Sequence, residues 1–293
     1  MKCAWIKEHS KDFNITIMCK VLKVDRTSYY YWIKTGSIVK KTDKKLNDLI
    51  QIIFLKSRAT YGTRRIKNRL LQLYGLIVSR RKIGNIMEDL KLVVKTKKRY
   101  KINTTDSNHN LPVAPNILNR DFYALNPNEK YVGDITYIPT DEGWIFLATV
   151  IDLYSRKIVG WSMSDNMKTS LVNNALKMAI ISRKPSQGLI WHTDRGSQYA
   201  SYSHKNLLSK YGIIHSMSRK GNCYDNAVAE SFFHTLKTEL IFHQNYKTKS
   251  QAKQSIFEYI EFYYNRQRSH SANNYLSPVE FEEQNMLKKE MVA

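Results

Sequence analysis

The chain has 293 residues, of which 42% are hydrophobic and 12% aromatic, so it has enough apolar side chains for a folded core and is not a disordered protein. Its 47 Lys and Arg residues against 25 Asp and Glu residues give a net charge of +22, which indicates an anionic partner. The chain has three cysteines and no C-x-x-C pair, so neither a disulfide framework nor a zinc knuckle is supported.

No membrane-spanning or secretory segment is predicted. The longest mainly apolar run, residues 144–151, has eight residues and is far too short for a membrane span. Charged residues interrupt the N-terminal segment of the chain, where a signal peptide would be apolar. We therefore expect a cytoplasmic protein, associated with the nucleoid if its anionic partner is DNA, without a membrane partner.

Residues 1–40 are predicted to form a helix-turn-helix-like segment. Ile17, Met18, Val21 and Leu22 give one apolar helical face, and a second helix over residues 26–33 follows Asp25, a good helix cap. A small helical hairpin that only packs on its neighbours fits this pattern equally well.

Residues 41–101 are predicted to form a basic helix-turn-helix domain. Residues 56–101 carry a net charge of +13, whereas residues 131–240 carry +3. Helices are expected over residues 46–54, 64–74 and 80–92, with Gly75 ending the second and Ser79 capping the third. Positive charge at the start of the third helix opposes the helix dipole, so an anionic partner or a solvated surface must favour it. The predicted DNA-contact residues are Arg64, Arg65, Arg80, Arg81, Lys82, Lys97, Lys98 and Arg99.

An extended linker is predicted over residues 102–123, followed by a core with C-terminal helices over residues 124–287. Three of the six prolines lie between residues 102 and 130. Beyond them the pattern predicts strands at 131–139, 144–151, 157–163, 189–192 and 213–217, with helices at 169–182 and 203–211. This order predicts an α/β fold of the ribonuclease-H-like type, a mixed five-stranded sheet with flanking helices, preceded by the all-α helix-turn-helix modules.

Three acids in this core are candidate catalytic residues. Asp134 lies inside the first strand, Asp194 ends the fourth, and Glu230 follows after 35 residues on a helix that we expect Asn222 or Asp225 to cap. In this fold the first and fourth strands are neighbours and the helix crosses them. Each carboxylate pair at ~4 Å costs roughly 4 kcal/mol at an effective dielectric near 20. Two divalent cations, Mg²⁺ with Mn²⁺ as a possible substitute, would offset this and serve phosphodiester chemistry.

Neighbouring residues have two interpretations each. Asp152 could be a fourth acid near the metals or a residue that only ends its strand. His192 could orient a water molecule or be a structural histidine, which is the interpretation that we favour. Trp191 and the pair Phe232 and Phe233 are expected in the core and not as base-stacking platforms.

Three blocks, at residues 134–138, 192–199 and 221–233, resemble the catalytic blocks of insertion-sequence transposases. More narrowly they resemble the insertion-sequence-three family, whose core is akin to retroviral integrases. Further blocks at 18–22, 29–32, 61–66, 264–266 and 277–278 extend the resemblance over nearly the whole chain. The sequence departs from the family pattern at Gly133, where a larger residue is usual, and at residues 273–275.

The resemblance implies a catalytic triad of Asp134, Asp194 and Glu230, with Lys237 as a DNA contact. It implies hydrolysis at the element ends, which carry terminal inverted repeats, and strand transfer into target double-stranded DNA. It also implies a homo-oligomer on DNA and a frameshift fusion to an upstream helix-turn-helix product. Two alternatives remain at this stage, a non-catalytic DNA-binding regulator and a nuclease acting on RNA–DNA hybrids.

Overall fold

The computed structural model describes residues 1–36, 43–95 and 111–290. The chain divides into two compact units, Met1–Ile52 and Ile53–Ala293. The predicted DNA-contact residues Lys97, Lys98 and Arg99 lie outside the described residues, as does the first part of the predicted linker. Within the described residues, no helix combines the length and the apolar character needed to cross a lipid bilayer.

Three short helices lie in the first unit: α1 (Lys2–Glu8), α2 (Ile15–Val21) and α3 (Arg26–Thr35). Their buried side chains make one small core of Cys3, Ile6, Met18, Cys19 and Tyr29. The backbone N–H of Ser28 donates to Asp25 Oδ2 at 3.1 Å, which confirms the predicted cap of α3. Helix α4 (Lys44–Lys56) includes the point at which the chain divides.

After the end of α4, the second unit continues with the helix pair α5 (Thr63–Tyr74) and α6 (Arg80–Asp89). Gly75 ends α5 with a φ of 64°, and the backbone N–H of Lys82 donates to Ser79 Oγ at 3.2 Å. Both predicted helix ends are therefore confirmed, because glycine tolerates the left-handed conformation and serine satisfies an N-terminal amide. Helix α6 ends three residues earlier than predicted.

A mixed five-stranded sheet forms the centre of the second unit. Its strands are β1 (Lys130–Thr140), β2 (Gly143–Asp152), β3 (Ile158–Ser164), β4 (Ile190–Thr193) and β5 (Ile214–Met217). The spatial order is β3-β2-β1-β4-β5, with antiparallel pairing from β1 to β3 and parallel pairing of β4 with β1 and β5. The predicted fold class is confirmed, including the adjacency of the first and fourth strands.

Helices cover both faces of this sheet. They are α7 (Thr169–Arg183), α8 (Ser197–Ala200), α9 (Tyr202–Lys210), α10 (Ala227–Glu239), α11 (Lys249–Glu258) and α12 (Pro278–Glu290). On one face Val132 and Ile138 share a core with Leu236 of α10, and on the other Tyr131 packs with Leu176 of α7. Because strand side chains alternate, Asp134 belongs to the α10 face.

Candidate active site

Asp134 and Asp194 line one cavity of about 190 Å³ at the end of strand β4. Strand β4 pairs with β1 only from Lys130 to Val132, so β1 continues past it and Asp134 lies just beyond the paired region. Asp194 directly follows the last residue of β4. The sheet edge thus brings together two acids that are 60 residues apart in the chain, as the strand order predicted.

Local backbone amides orient both carboxylates. The N–H of Ile135 donates to Asp134 Oδ1 at 2.8 Å, and the N–H of Gly196 donates to Asp194 Oδ1 at 2.9 Å. A Cβ atom at position 196 would come within 3.1 Å of Asp194 Oδ1 and 2.9 Å of Gln198 Oε1. Glycine at this position therefore leaves room for the Asp194 carboxylate and the Gln198 side chain.

The electrostatics of the cavity favour a bound cation. Burial raises the pKa of Asp134 well above its ordinary value, and the charges of Asp194 and Glu230 raise that pKa further. The Ile135 amide and the Lys237 ammonium act in the opposite direction and do not outweigh them. Clustered carboxylates are the oxygen donors that Mg²⁺ and Mn²⁺ accept, so the donor set fits a hard divalent cation.

Glu230 lies in the first turn of α10, where a carboxylate is favoured by the helix dipole. The residue is exposed and does not line the cavity, although partial burial of its carboxyl group raises its pKa. Within residues 1–36, 43–95 and 111–290, no group of three or more His, Cys, Asp or Glu side chains is close enough together to hold a metal ion. The structure therefore unites Asp134 with Asp194 and keeps Glu230 nearby, without closing a three-carboxylate cluster.

Lys237 lies at the rim of the same site. Its Nζ atom is 4.9 Å from the centre of the Tyr137 ring, and Tyr137 lines the cavity. Burial lowers the pKa of Lys237, whereas the charge of Asp134 raises it. The side chain thus places a cation close enough to Asp134 for its charge to lower the pKa of that carboxyl.

Neither predicted cap residue caps α10 itself, whose N-cap is Asn226 without a side-chain cap hydrogen bond. Asn222 caps the short 3₁₀ turn Cys223–Asn226 that precedes α10, where its Oδ1 accepts from the backbone N–H of Tyr224 at 3.2 Å. Asp225 is instead fully buried and accepts hydrogen bonds from Arg219, Arg120 and Asn116. Local sequence pattern shows its polar character but gives no signal for partners in other segments.

His192 is a structural histidine, as the sequence interpretation favoured. Its Nδ1 lies 2.8 Å from Ser216 Oγ and its Nε2 lies 3.1 Å from Ser218 Oγ. Burial lowers its pKa to about 4, so the ring is neutral at neutral pH. Trp191, Phe232 and Phe233 are buried core residues, as predicted.

Asp152 does not join the two cavity aspartates. It pairs in register with Tyr131 and so lies on the α7 face of the sheet, opposite Asp134. Its carboxylate accepts from the backbone amides of Asn128 and Tyr154 at 3.0 Å each and lies 3.5 Å from Arg183 Nη2. Asp152 thus has the strand-end role, and the fourth-acid interpretation is wrong.

The predicted DNA-contact residues have different environments. Arg80, Arg81 and Lys82 are exposed together in the first turn of α6, and Arg64 is exposed on α5. Arg65 is engaged within the fold, where Nη1 lies 3.6 Å from Glu239 Oε1 and the guanidinium stacks on Tyr61. Arg65 thus has an internal partner in the buried Glu239 carboxylate, and its role as a DNA contact stays a prediction.

Comparison with known proteins identifies the family. Residues 124–223 and 230–286 match the Integrase core domain, and residues 41–100 match an HTH-like domain. Transposase InsF for insertion sequence IS3A, from Escherichia coli (strain K12), is 39% identical over 98% of this chain and 100% of its own length. The chain belongs to the IS3 family of insertion-sequence transposases. An IS3-family identity confirms the resemblance seen in the sequence blocks.

One further curated protein and two solved structures are also similar to this IS3-family transposase. The insertion element IS600 uncharacterized 31 kDa protein of Shigella sonnei is 44% identical over 91% of this chain and 97% of its own. Among solved structures, a simian T-cell lymphotropic virus intasome in complex with PP2A regulatory subunit B56 gamma has 17% identity and a TM-score of 0.46, covering 78% of this chain and 73% of that one. The HTLV-2 integrase catalytic core domain in complex with magnesium has 16% identity and a TM-score of 0.42, covering 55% and 99%.

The departure of this IS3-family transposase at Gly133 has a packing cause. A Cβ atom built at Gly133 would lie 2.1 Å from Cη2 of Trp191 and 3.0 Å from the carbonyl oxygen of Thr149. The large indole thus fills the space that a side chain on β1 would need. Gly133 and Trp191 are complementary, and the neighbouring Asp134 points to the other face of the sheet.

Proposed function

We propose that this transposase cleaves DNA at the ends of its insertion element and joins the freed ends to target DNA. Asp134, Asp194 and Glu230 are the catalytic residues and would hold two Mg²⁺ ions, for which Mn²⁺ could substitute. The observation that carries the proposal is the shared cavity of Asp134 and Asp194, in which burial and two neighbouring carboxylates raise the pKa of Asp134. Such repulsion is the electrostatic condition that a divalent cation relieves.

Each side chain has a distinct task in this proposal. Divalent cations, when bound, would neutralise the carboxylates and stabilise the charge that develops on the attacking and leaving oxygens of the phosphodiester. Asp134 and Asp194 would hold a bound cation from the sheet, and Glu230 would contribute a further carboxylate from α10. Lys237, beside Tyr137 at the rim, contacts a DNA phosphate.

The reaction has two displacements and needs no covalent enzyme intermediate. A water molecule attacks a phosphodiester at the element end, and the bond to the 3′ oxygen breaks, which frees a 3′-hydroxyl. That hydroxyl then attacks a phosphodiester of the target strand in line, and the displaced 3′ oxygen leaves. One bond forms and one breaks in each step, so no oxidant or cofactor is consumed.

DNA recognition is assigned to the basic helix pair. Arg80, Arg81 and Lys82 extend from the first turn of α6, the region from which helix-turn-helix modules read the major groove, and Arg64 lies on α5. Lys97, Lys98 and Arg99 remain proposed from sequence alone. The partners are the terminal inverted repeats and target DNA, bound by a homo-oligomer in the nucleoid, with a frameshift fusion to an upstream helix-turn-helix product as a further form.

The catalytic proposal is tested with Asp194→Asn. Wild-type protein should nick a duplex carrying the element end in Mg²⁺, whereas Asp194→Asn should bind the same duplex equally well without nicking it. Nicking at the wild-type rate by the variant would refute the assignment. A wild-type protein that binds the ends but never cuts them would instead be the non-catalytic regulator, and preference for RNA–DNA hybrids would indicate the nuclease alternative.

The DNA surface is tested through salt dependence. Replacing Arg80, Arg81 and Lys82 with Ala should weaken end binding and reduce the slope of log K against log salt by about 0.9 for each lost phosphate contact. Lys205→Ala, which removes an exposed cation on α9, is the matched control and should leave the slope unchanged. An unchanged slope in the triple variant would place the phosphate contacts elsewhere.

A further inference from the structure

We propose that Asp225, together with Asn226 and Arg120, forms a positioning unit that sets the distance between Glu230 and Asp134. None of the three is among the predicted metal ligands or DNA contacts. The inference rests on the proposed function, because it assigns these residues a task for the same active site. It is carried by hydrogen bonds that join four separate segments at the start of α10.

Asp225 is the centre of the unit. It is fully buried and accepts hydrogen bonds from Arg219 through the backbone N–H at 2.9 Å, Nε at 2.9 Å and Nη2 at 2.8 Å. Arg120 Nε donates at 2.8 Å and Asn116 Nδ2 at 2.9 Å. Hydrogen bonds from Arg219 hold the pKa of Asp225 well below its ordinary value, so the carboxylate is charged in the folded protein.

Arg120 connects the preceding segment to the turn before α10. Besides Asp225, it donates through Nη2 to Asn222 Oδ1 at 3.0 Å, and its guanidinium lies 5.7 Å from the Tyr224 ring centre. Nearby, the amides of Ile117 and Leu118 donate to Ser216 Oγ at 2.9 and 3.0 Å. The chain that leads from the basic helix pair into the core is thus fastened to the turn that precedes Glu230.

Asn226 ties the same turn to the strand that carries Asp134. Its Nδ2 donates to the backbone carbonyl of Gly133 at 3.1 Å, in a buried environment. Asp134 is the next residue on β1, and Glu230 lies one helical turn after Asn226. The separation of Glu230 and Asp134 is therefore set by this hydrogen bond and by the fixed geometry of one turn.

The physical consequence follows from the cost of a buried charge. Removal of one partner leaves the other polar groups of a buried ionic network unsatisfied, which favours displacement of the turn. A displacement at Asn226 moves the first turn of α10 and Glu230 with it. Because a misplacement of about 1 Å in a catalytic group costs roughly 100-fold in rate, the unit controls cleavage without touching DNA.

The experiment compares Asp225→Asn and Arg120→Gln with Asp152→Asn. Asp152 is also a fully buried aspartate with an arginine partner, but it lies on the opposite face of the sheet. Arg120 is 44% exposed, so Arg120→Gln keeps the fold if Asp225→Asn does not. Hydrogen–deuterium exchange of residues 222–231 is measured without metal or DNA, together with DNA binding and Mg²⁺-dependent cleavage.

The proposal expects faster exchange at 222–231 in both test variants, unchanged DNA binding and a fall in cleavage of about 100-fold. Arg120→Lys, which restores a cation and a donor to Asp225, should recover most of the rate. Asp152→Asn should leave exchange at 222–231 and cleavage unchanged.

Unchanged exchange at 222–231 in Arg120→Gln, or wild-type cleavage despite faster exchange, overturns the inference. Equal effects of Asp152→Asn on that segment also overturn it, because the effect would then be general loss of stability. Wild-type protein that fails to cleave refutes the proposed function separately. The hydrogen–deuterium exchange measurement still decides whether the positioning unit holds the turn before α10.

Discussion

A buried ion pair fixes the far end of the helix that carries Glu230. Arg268 donates through Nε and Nη2 to both oxygens of Glu239 at 2.8–3.1 Å, and the two side chains are 7% and 9% exposed. The Tyr259 hydroxyl donates to Glu239 Oε2 at 2.8 Å, and Arg65 lies 3.6 Å from Oε1. Arg268→Ala would therefore remove the main partner of a nearly buried carboxylate.

The expected loss is about 3 kcal/mol, at the lower end of the ~3–5 kcal/mol found when one partner of a buried pair is removed, because Tyr259 and Arg65 remain. In a folded unit of this size a loss of 1 kcal/mol lowers Tm by about 2–4 °C, so Tm should fall by roughly 6–12 °C. The measurement is chemical and thermal unfolding of the wild type and the variant.

The control is the double variant Glu239→Leu with Arg268→Met, which removes both charges and keeps apolar volume. It should be more stable than Arg268→Ala, since no unpaired carboxylate stays buried. A loss below 1 kcal/mol in the single variant, or a double variant less stable than the single one, would refute this account of the pair.

Three further predictions concern the sheet and the site. Gly133→Ala should lower the free energy of unfolding by about 1–3 kcal/mol in chemical denaturation, because the new Cβ would lie 2.1 Å from Trp191 Cη2. Adding Trp191→Leu to this variant should lessen that loss. Burial lowers the pKa of His192 to about 4, so between pH 6.5 and 4 the unfolded state binds more protons than the folded state, and stability falls as the pH falls. The variant His192→Gln should weaken this pH dependence, which is measured by chemical denaturation at pH 7 and pH 5. Lys237→Met removes a charge that lowers the pKa of Asp134, so the acid limb of the cleavage rate should move to higher pH, and an unmoved limb would contradict their interaction.

Strands and helix ends could be predicted because their signals are local. The predicted strand limits differ from the observed ones by no more than one residue, since the apolar pattern and the turn residues mark both ends. Gly75 and Ser79 act within a few residues of their own positions. The adjacency of Asp134 and Asp194 followed from the strand order of the resembling fold.

The contacts that hold the site could not be predicted because they join distant segments without periodicity. The hydrogen bonds from Arg120 to Asp225 and from Arg268 to Glu239 span 105 and 29 residues. In the sequence, Arg65 is indistinguishable from the exposed cations of a basic helix, and the structure shows the Glu239 carboxylate beside it. The sequence also gave no sign of the 3₁₀ turn Cys223–Asn226, which delays the start of α10 to Ala227 and sets the position of Glu230.

The most direct test of the central claim is to locate Mn²⁺ by anomalous scattering in crystals of the wild-type protein. We expect Mn²⁺ between the carboxylates of Asp134 and Asp194, with the Glu230 side chain as a further ligand when DNA is bound. Loss of that signal in Asp194→Asn would agree with the assignment. Mn²⁺ bound elsewhere in both proteins, with the Asp134 and Asp194 cavity empty, would contradict it.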